Sequence, residues 1–415
     1  MTNNNIIHRN RCRLCNSNKL DIVLKYNPTP LADEYIPKEY INKEQKIYPL
    51  NLFLCKKCGL SQLLDVVQPQ DIYFDYLYET KTSLGLVNHF QSYAEEVLKI
   101  SNSPKGSLVV DIGSNDGSLL KAFKKKGMKA LGIDPARDIA KKATESGIET
   151  LPLLFNVGVA DKIKEKHGFA EVITMNNLFA NIDDLIGAVK GVRRLMAPEG
   201  VFVIESFYLY DLIKNMVFDF IYHEHLSCFS VKPLQIFFKS QNMELIDVQH
   251  ISTKGGSLRY IVKHAQGRRS ISPNIAKYIK RETSFGIHES KIFKTFSKQI
   301  KYAKNSLLNI IRDLQKNKKT IAGYGASATT TTLLYSFDLI DKLNFIVDDN
   351  PQRQGLYSPG CHIPVVSPKT LYEQKKPDYV LILAWRYAEP IIKQHQDFLT
   401  NGGHFIIPLP EIKVF

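Results

Sequence analysis

The 415-residue chain has no run of about 18 apolar residues, so no membrane-spanning helix is expected. Its first residues, MTNNNIIHRN, lack the apolar core of a secretory signal, and a cytoplasmic protein is the expectation. Cysteine is scarce, six in all, which argues against a disulfide framework in a chain without an export signal. Short-period repeats and low-complexity tracts are missing as well. With 44% hydrophobic and 23% charged residues, the composition is not that of a disordered chain. There is also no long basic arm. The net charge of +14 (55 minus 41) is spread over short clusters such as Lys124–Lys126 and the stretch 316–319. Solvated helix faces, with some attraction for an anionic small substrate, account for that charge better than a nucleic-acid partner.

What is present is enough sequence for two or three cores. Residues 1–75 hold four of the six cysteines, several prolines and short strand-like runs, and read as a metal-stapled module. Residues 76–274 open with a helical lead-in and then alternate strands and helices: strands at 108–112, 130–133, 171–175 and 200–205, helices at 118–126, 139–146 and 185–195. Such alternation predicts a parallel α/β sheet. Residues 275–318 form a basic helical connector. A second α/β unit follows at 319–415, with strands near 320–324, 343–348 and 379–384.

Cys12-x-x-Cys15 and Cys55-x-x-Cys58 supply four thiolates in two knuckles, the arrangement of a closed structural zinc site. The segment Val109-Val110-Asp111-Ile112-Gly113-Ser114-Asn115-Asp116-Gly117 ends a hydrophobic strand and opens a helix. The phosphate-binding form of this turn needs G-x-G-x-x-G, which is missing here, and Asp111 and Asp116 would repel a phosphate. An acidic turn suits a ligand carrying ammonium and sulfonium charges. Asp134 ends the next strand, where a carboxylate accepts ribose hydroxyls. S-adenosylmethionine is therefore the expected cofactor, ahead of a nicotinamide, with Asp111, Gly113, Asn115, Asp116 and Asp134 around it. Asn176 and Asn177 end a further strand and either cap the next turn or touch the cofactor.

Tyr222-His223-Glu224-His225 is dense in groups that move protons. A neutral imidazole accepts a proton near neutral pH; metal binding by His-x-His and a buried structural histidine are the alternatives. Lys254-Gly255-Gly256-Ser257-Leu258-Arg259 offers backbone donors and a guanidinium fork for an anion, or is an ordinary hairpin turn. Gly323-Tyr324-Gly325-Ala326-Ser327-Ala328 opens the second α/β unit with a Gly-x-Gly core, and either binds a nucleotide or starts a Rossmann-like fold without one.

The ordered set of paired cysteines, D-I-G-S-N-D-G, H-E-H-L-S, G-G-S-L-R and Y-G-A-S-A resembles the nucleotide-sugar C-methyltransferases of deoxysugar biosynthesis. The resemblance covers nearly the whole chain. It implies a zinc-binding N-terminal domain, a class I methyltransferase domain, a C-terminal Rossmann-like domain, and a dTDP-linked 4-keto sugar in the cleft between domains. It further implies His225 as the base for the C-3 proton, Glu224 and Tyr222 as neighbours that orient the base and the sugar, and an aromatic hydroxyl from Tyr76 or Tyr78 in the site. Asn181, Lys254, Gly256, Ser257, Arg259, Tyr324 and Ser327 are the expected substrate contacts. Two departures fall on the substrate side: Asn181 stands where the family often has a histidine, and Thr329–Thr332 stand where it often has Lys and Gly. Methylation of another carbon acid or a hydroxyl of a glycan precursor, and a zinc-ribbon nucleic-acid binder with a degenerate methyltransferase fold, are the alternatives. A monomer or weak homodimer is expected.

Overall fold

In the computed structural model, residues 6–69, 72, 86–374 and 376–415 are described. Tyr76 and Tyr78 lie outside them. Among the described residues no helix is long and apolar enough to cross a membrane.

The strand Leu108–Ile112 is buried at every position, as a run of apolar residues between two helical layers must be. It is an interior strand of a seven-stranded sheet. From one edge the strands run Thr150–Leu151, Lys129–Ile133, Leu108–Ile112, Ala170–Asn176, Met196–Phe207, Ser257–His264 and Met243–Ile251. All are parallel except Ser257–His264, which is antiparallel to both neighbours. The chain order reverses between Leu108–Ile112 and Ala170–Asn176. At such a switch point the helices leave on opposite faces and a crevice opens beyond the carboxyl ends of the strands. The sequence reading missed the helix Val157–His167 and the helix Val231–Ser240.

The N-terminal module is built on a four-stranded antiparallel sheet whose order is Ser227–Cys228, Ser61–Leu63, Asn51–Cys55, Leu20–Lys25. Three strands come from the module. The fourth is donated by the central domain, from the residues just after His225, and pairs Ser227 with Gln62 and Cys228 with Ser61.

The connector is two helices, Asn274–Phe285 and Ser290–Lys316, broken at Gly286 in the left-handed region. The C-terminal domain is a six-stranded sheet in the order Val365–Val366, Ile346–Val347, Ile321–Tyr324, Tyr379–Ile382, His404–Ile407, Lys413–Val414, parallel but for the last strand. It too has a switch point, at Ile321–Tyr324, but that crevice is filled. Gly325 sits at φ +105, where an added Cβ would come 2.5 Å from Ala384 Cβ.

The segment 217–228 lies where the three domains meet. Asp219 accepts from Trp385 Nε1 at 3.0 Å and from Arg386 Nη1 at 2.9 Å. Phe218 stacks on Phe337 with centroids 5.2 Å apart. Thr332 Oγ1 donates to the Ile221 carbonyl at 3.0 Å, and Thr331 Oγ1 to the Ala32 carbonyl at 2.8 Å. The threonine run at 329–332, buried throughout, thus supplies the hydroxyls that join the C-terminal domain to its two neighbours.

Candidate active site

The crevice of the central sheet opens into a cavity of about 470 Å³. Its floor is the acidic turn. Gly113 has φ +78, and a Cβ there would come 2.7 Å from Leu178 Cδ2, so a side chain is excluded where the backbone turns under the ligand. Asp111 accepts from Thr174 Oγ1 at 2.6 Å, and burial pushes its carboxyl up to about 7. Asp134 receives Asn115 N and Ala136 N, each at 2.9 Å, and burial raises it as well. Two buried carboxyls held away from their charged form favour a cationic occupant. Asp116 does not line the cavity; its Oδ1 accepts from Ser118 N at 3.0 Å at the start of the next helix.

Asn176, Asn177 and Asn181 form the opposite wall. Asn176 Oδ1 takes the hydroxyl of Tyr93 at 3.0 Å. Its Nδ2, Asn181 Oδ1 and Ser114 Oγ are buried without a partner among the described residues. Orphaned polar atoms around one cavity mark where a ligand completes the bonding. The apolar lining comes from Phe90, Leu119, Leu153, Leu154 and Phe155. Ser114 and the Asp183-Asp184 pair on the rim were missed by the sequence reading, although Asp183-Asp184 follows Asn181 closely enough to have been a signal.

Tyr222, Glu224, His225 and Lys254 close the same cavity. His225 Nδ1 lies 2.6 Å from the Phe220 carbonyl. A carbonyl only accepts, so Nδ1 carries the proton and Nε2 keeps its lone pair. The Tyr222 hydroxyl donates to that Nε2 at 3.0 Å. Both ring nitrogens are thereby engaged, and the imidazole is oriented by a backbone carbonyl rather than by Glu224, contrary to expectation. Phe207 and Phe220 flank the ring, and burial lowers its pKa to about 3. His225 is therefore neutral at working pH. His223 points the other way, with Nε2 3.2 Å from the Pro49 carbonyl of the module.

Lys254 sits at φ +56, a left-handed conformation that costs a residue with a Cβ about 1–2 kcal/mol. Its ammonium makes no direct hydrogen bond among the described residues; burial brings it down to about 8, against the pull of Glu205 and Glu224.

The remaining expected substrate contacts lie elsewhere. Arg259 is 1% exposed, forked onto Glu205 at 3.1–3.2 Å, paired with Glu96 and stacked over Tyr93. It braces the wall behind Asn176 and has no free edge for an anion. Gly256 abuts Asp211, and Ser257 Oγ donates to the Thr253 carbonyl at 3.1 Å. Tyr324 donates to Asp349 at 2.7 Å and contacts His395 at 2.8 Å, and Ser327 caps the helix Ala328–Ser336. Both belong to the filled crevice of the C-terminal sheet.

The four cysteines of the module bring their Sγ atoms within 4.8 Å of one another. Cys12–Cys58 and Cys15–Cys55 stand at 3.6 and 3.5 Å. A tetrahedral ion with Zn–S of about 2.3 Å requires S···S near 3.8 Å, so the cage fits zinc with no open position.

Strand order, acidic switch-point turn and thiolate cage together define a class I S-adenosylmethionine-dependent methyltransferase carrying a structural zinc module. Three family models agree: a putative zinc binding domain over residues 12–73, a methyltransferase domain over 87–248 and a C-methyltransferase C-terminal domain over 252–410. The C-methyltransferase NovU of Streptomyces niveus is 33% identical over 404 residues, spanning 97% of this chain and 96% of NovU. The chain belongs to this family of C-methyltransferases. Among solved structures, the magnesium protoporphyrin IX methyltransferase of Synechocystis with bound SAH is 12% identical and covers 43% of this chain and 83% of its own, at a TM-score of 0.34. The PH0226 protein of Pyrococcus horikoshii is 14% identical and covers 45% and 94%, at 0.36. At such scores neither likeness bears on substrate or mechanism.

Proposed function

We propose that this C-methyltransferase acts on a nucleotide-linked keto-deoxysugar, at the carbon beside its keto group. One observation carries the reading. A neutral imidazole whose basic Nε2 accepts the Tyr222 phenol, that phenol itself and a lysine ammonium border the same cavity as the acidic cofactor turn. C-methylation needs a carbon nucleophile, hence a base and a cation to hold the enolate oxygen. Bound against Asp111, Asn115, Asp134 and Asn176, S-adenosylmethionine supplies an electrophilic methyl group on sulfur.

The Tyr222 hydroxyl turns from Nε2 to the bound sugar, His225 Nε2 then receives the C-3 proton, the Phe220 carbonyl holds the ring in the required tautomer, and Lys254 balances the negative charge that grows on the keto oxygen. Glu224 and Asn181 face the sugar. The resemblance in motif order and the positive net charge support a nucleotide diphosphate as the sugar's carrier. A second reading is favoured by the Tyr222–His225 contact itself: the phenol oxygen takes the carbon-bound proton while its own proton passes to Nε2.

The test is incubation with S-adenosylmethionine and a dTDP-linked 4-keto-deoxysugar, with the product analysed by NMR. Methyl on C-3 is the expected outcome. Methyl on oxygen, or none with any nucleotide-linked keto sugar, would overturn the assignment.

A further inference from the structure

The two cysteine knuckles have the same spacing but opposite characters. In the second, Lys56 and Lys57 between the ligands are exposed; in the first, Arg13 is 2% exposed. Its guanidinium runs into the seam between the module and the central domain. Nε donates to Asp183 Oδ1 at 2.9 Å, and Nη1 donates to the carbonyls of Leu63 and, at 3.2 Å, Leu226. The backbone N–H of Arg13 donates to Gln62 Oε1 at 3.1 Å. Arg9 takes the other oxygen of Asp183 at 2.7 Å. Asp183 is part of the cavity wall, and Leu226 directly follows His225. Burial lowers the guanidinium to about 10, so it is charged at neutral pH.

A cage that served only to hold the module together would not need a buried cation at its first knuckle. We propose that Arg13 is a positioning residue that couples metal occupancy to the shape of the cofactor cavity. With zinc on Cys12 and Cys15, the knuckle presents Arg13 to Asp183 and to the Leu226 carbonyl. When the metal leaves, the knuckle opens and both anchors are released together. The coupling rests on the cavity being the cofactor site and is independent of which sugar is methylated. Because coupling between two sites is reciprocal, a ligand in the cavity holds the zinc as firmly as the zinc holds the ligand.

The test uses the full-length zinc-loaded protein. Zinc release to a chromophoric chelator is timed with and without S-adenosylhomocysteine, supplied at the same multiple of each variant's own calorimetric Kd. In the natural protein the ligand should slow release roughly fivefold or more, the usual size of a coupling between sites. In Arg13→Gln and in Asp183→Ala the ligand should change release by less than about twofold, while Arg13→Lys, which meets Asp183 but cannot fork to Leu226, should fall between. Asp183 is one-third exposed, so its truncation keeps the test open should Arg13→Gln not fold. Equal protection in the natural protein and in the variants, or none in the natural protein, would overturn the coupling and leave the methyltransferase assignment standing. Failure of the natural protein to bind S-adenosylhomocysteine would instead remove the cofactor site, and the coupling with it.

Discussion

Tyr222 donates its hydroxyl to Nε2 of His225 at 3.0 Å, while Nδ1 of the same ring is committed to the Phe220 carbonyl at 2.6 Å. The pair thus has a fixed proton inventory in the resting state: two protons, both in hydrogen bonds, and one lone pair shared. His225→Asn should lower turnover on the order of 10²–10⁴-fold, the usual worth of a positioned acid or base, with cofactor binding intact. Substrate-proton exchange in deuterated solvent separates the two bases. Exchange lost in His225→Asn but kept in Tyr222→Phe assigns the imidazole; loss in both assigns the relay; normal exchange in His225→Asn rules out both.

The same substitution has a signature in stability. An unfolded histidine titrates near 6.5, whereas buried His225 stays neutral until about 3. Its contribution is present above 6.5 and is lost as pH falls toward 3. Across that window the stability of His225→Asn should depend on pH less steeply, by about one proton or ~1.4 kcal/mol per pH unit. Denaturant titrations at pH 7.5 and 5 compare the slopes.

Asp111 works in the opposite sense. Its carboxyl is raised to about 7, so its contribution to stability is present below 4 and lost as pH rises through 7. Asp111→Asn, always neutral, should stabilise the unliganded protein at pH 8 and weaken cofactor binding. A cationic cofactor should also expel the proton: calorimetry in two buffers of different ionisation enthalpy should find about half a proton released at pH 7.

Asp134→Ala should weaken S-adenosylmethionine by roughly 1.5–3 kcal/mol, the scale of a hydrogen bond to a charged group. The carboxylate also fixes Asn115 N and Ala136 N, so part of the loss should appear as a lower melting temperature without ligand. Unchanged affinity by calorimetry would remove Asp134 from the cofactor site.

Metal analysis should find one zinc per chain, and Cys55→Ala should lose it and melt lower, because in such modules binding energy is folding energy. Zinc-free protein of normal stability would contradict a structural ion.

Thr332→Val leaves the Ile221 carbonyl without its buried donor and should cost about 1–3 kcal/mol by denaturant unfolding. Since Ile221 adjoins Tyr222, turnover should fall with stability; unchanged turnover would show that this joint does not place the catalytic segment.

The parts of this molecule legible in the sequence are the local ones. The strand-turn-helix around Gly113, the acid ending the next strand and the two knuckles each encode their geometry within about ten residues, and all appear in the structure where the pattern put them. Long-range partners were not legible. Arg259 looked like an anion fork because nothing in its neighbourhood announces Glu205 and Glu96, 54 and 163 residues away. Tyr324 and Ser327 looked like a nucleotide turn because Asp349, His395 and Ala384, which fill that crevice, come later in the chain. The carbonyl of Phe220 leaves no trace in residue identity, so Glu224, the neighbour with a carboxylate, was given its task. The role of Thr331 and Thr332 appears only once Ala32 and Ile221 are brought beside them.

The strand Ser227–Cys228, lent to the module's sheet, bears on how this protein is made. A ribosome has emitted the whole module some 150 residues before its last strand exists. Through that interval Ser61–Leu63 presents a bare edge, the kind of surface that recruits foreign strands. Expressed alone, a fragment ending near residue 75 should bind zinc yet self-associate, and supplying residues 217–230 as a peptide should return it to solution. The module is a separate stretch of sequence, but it is not a separable part.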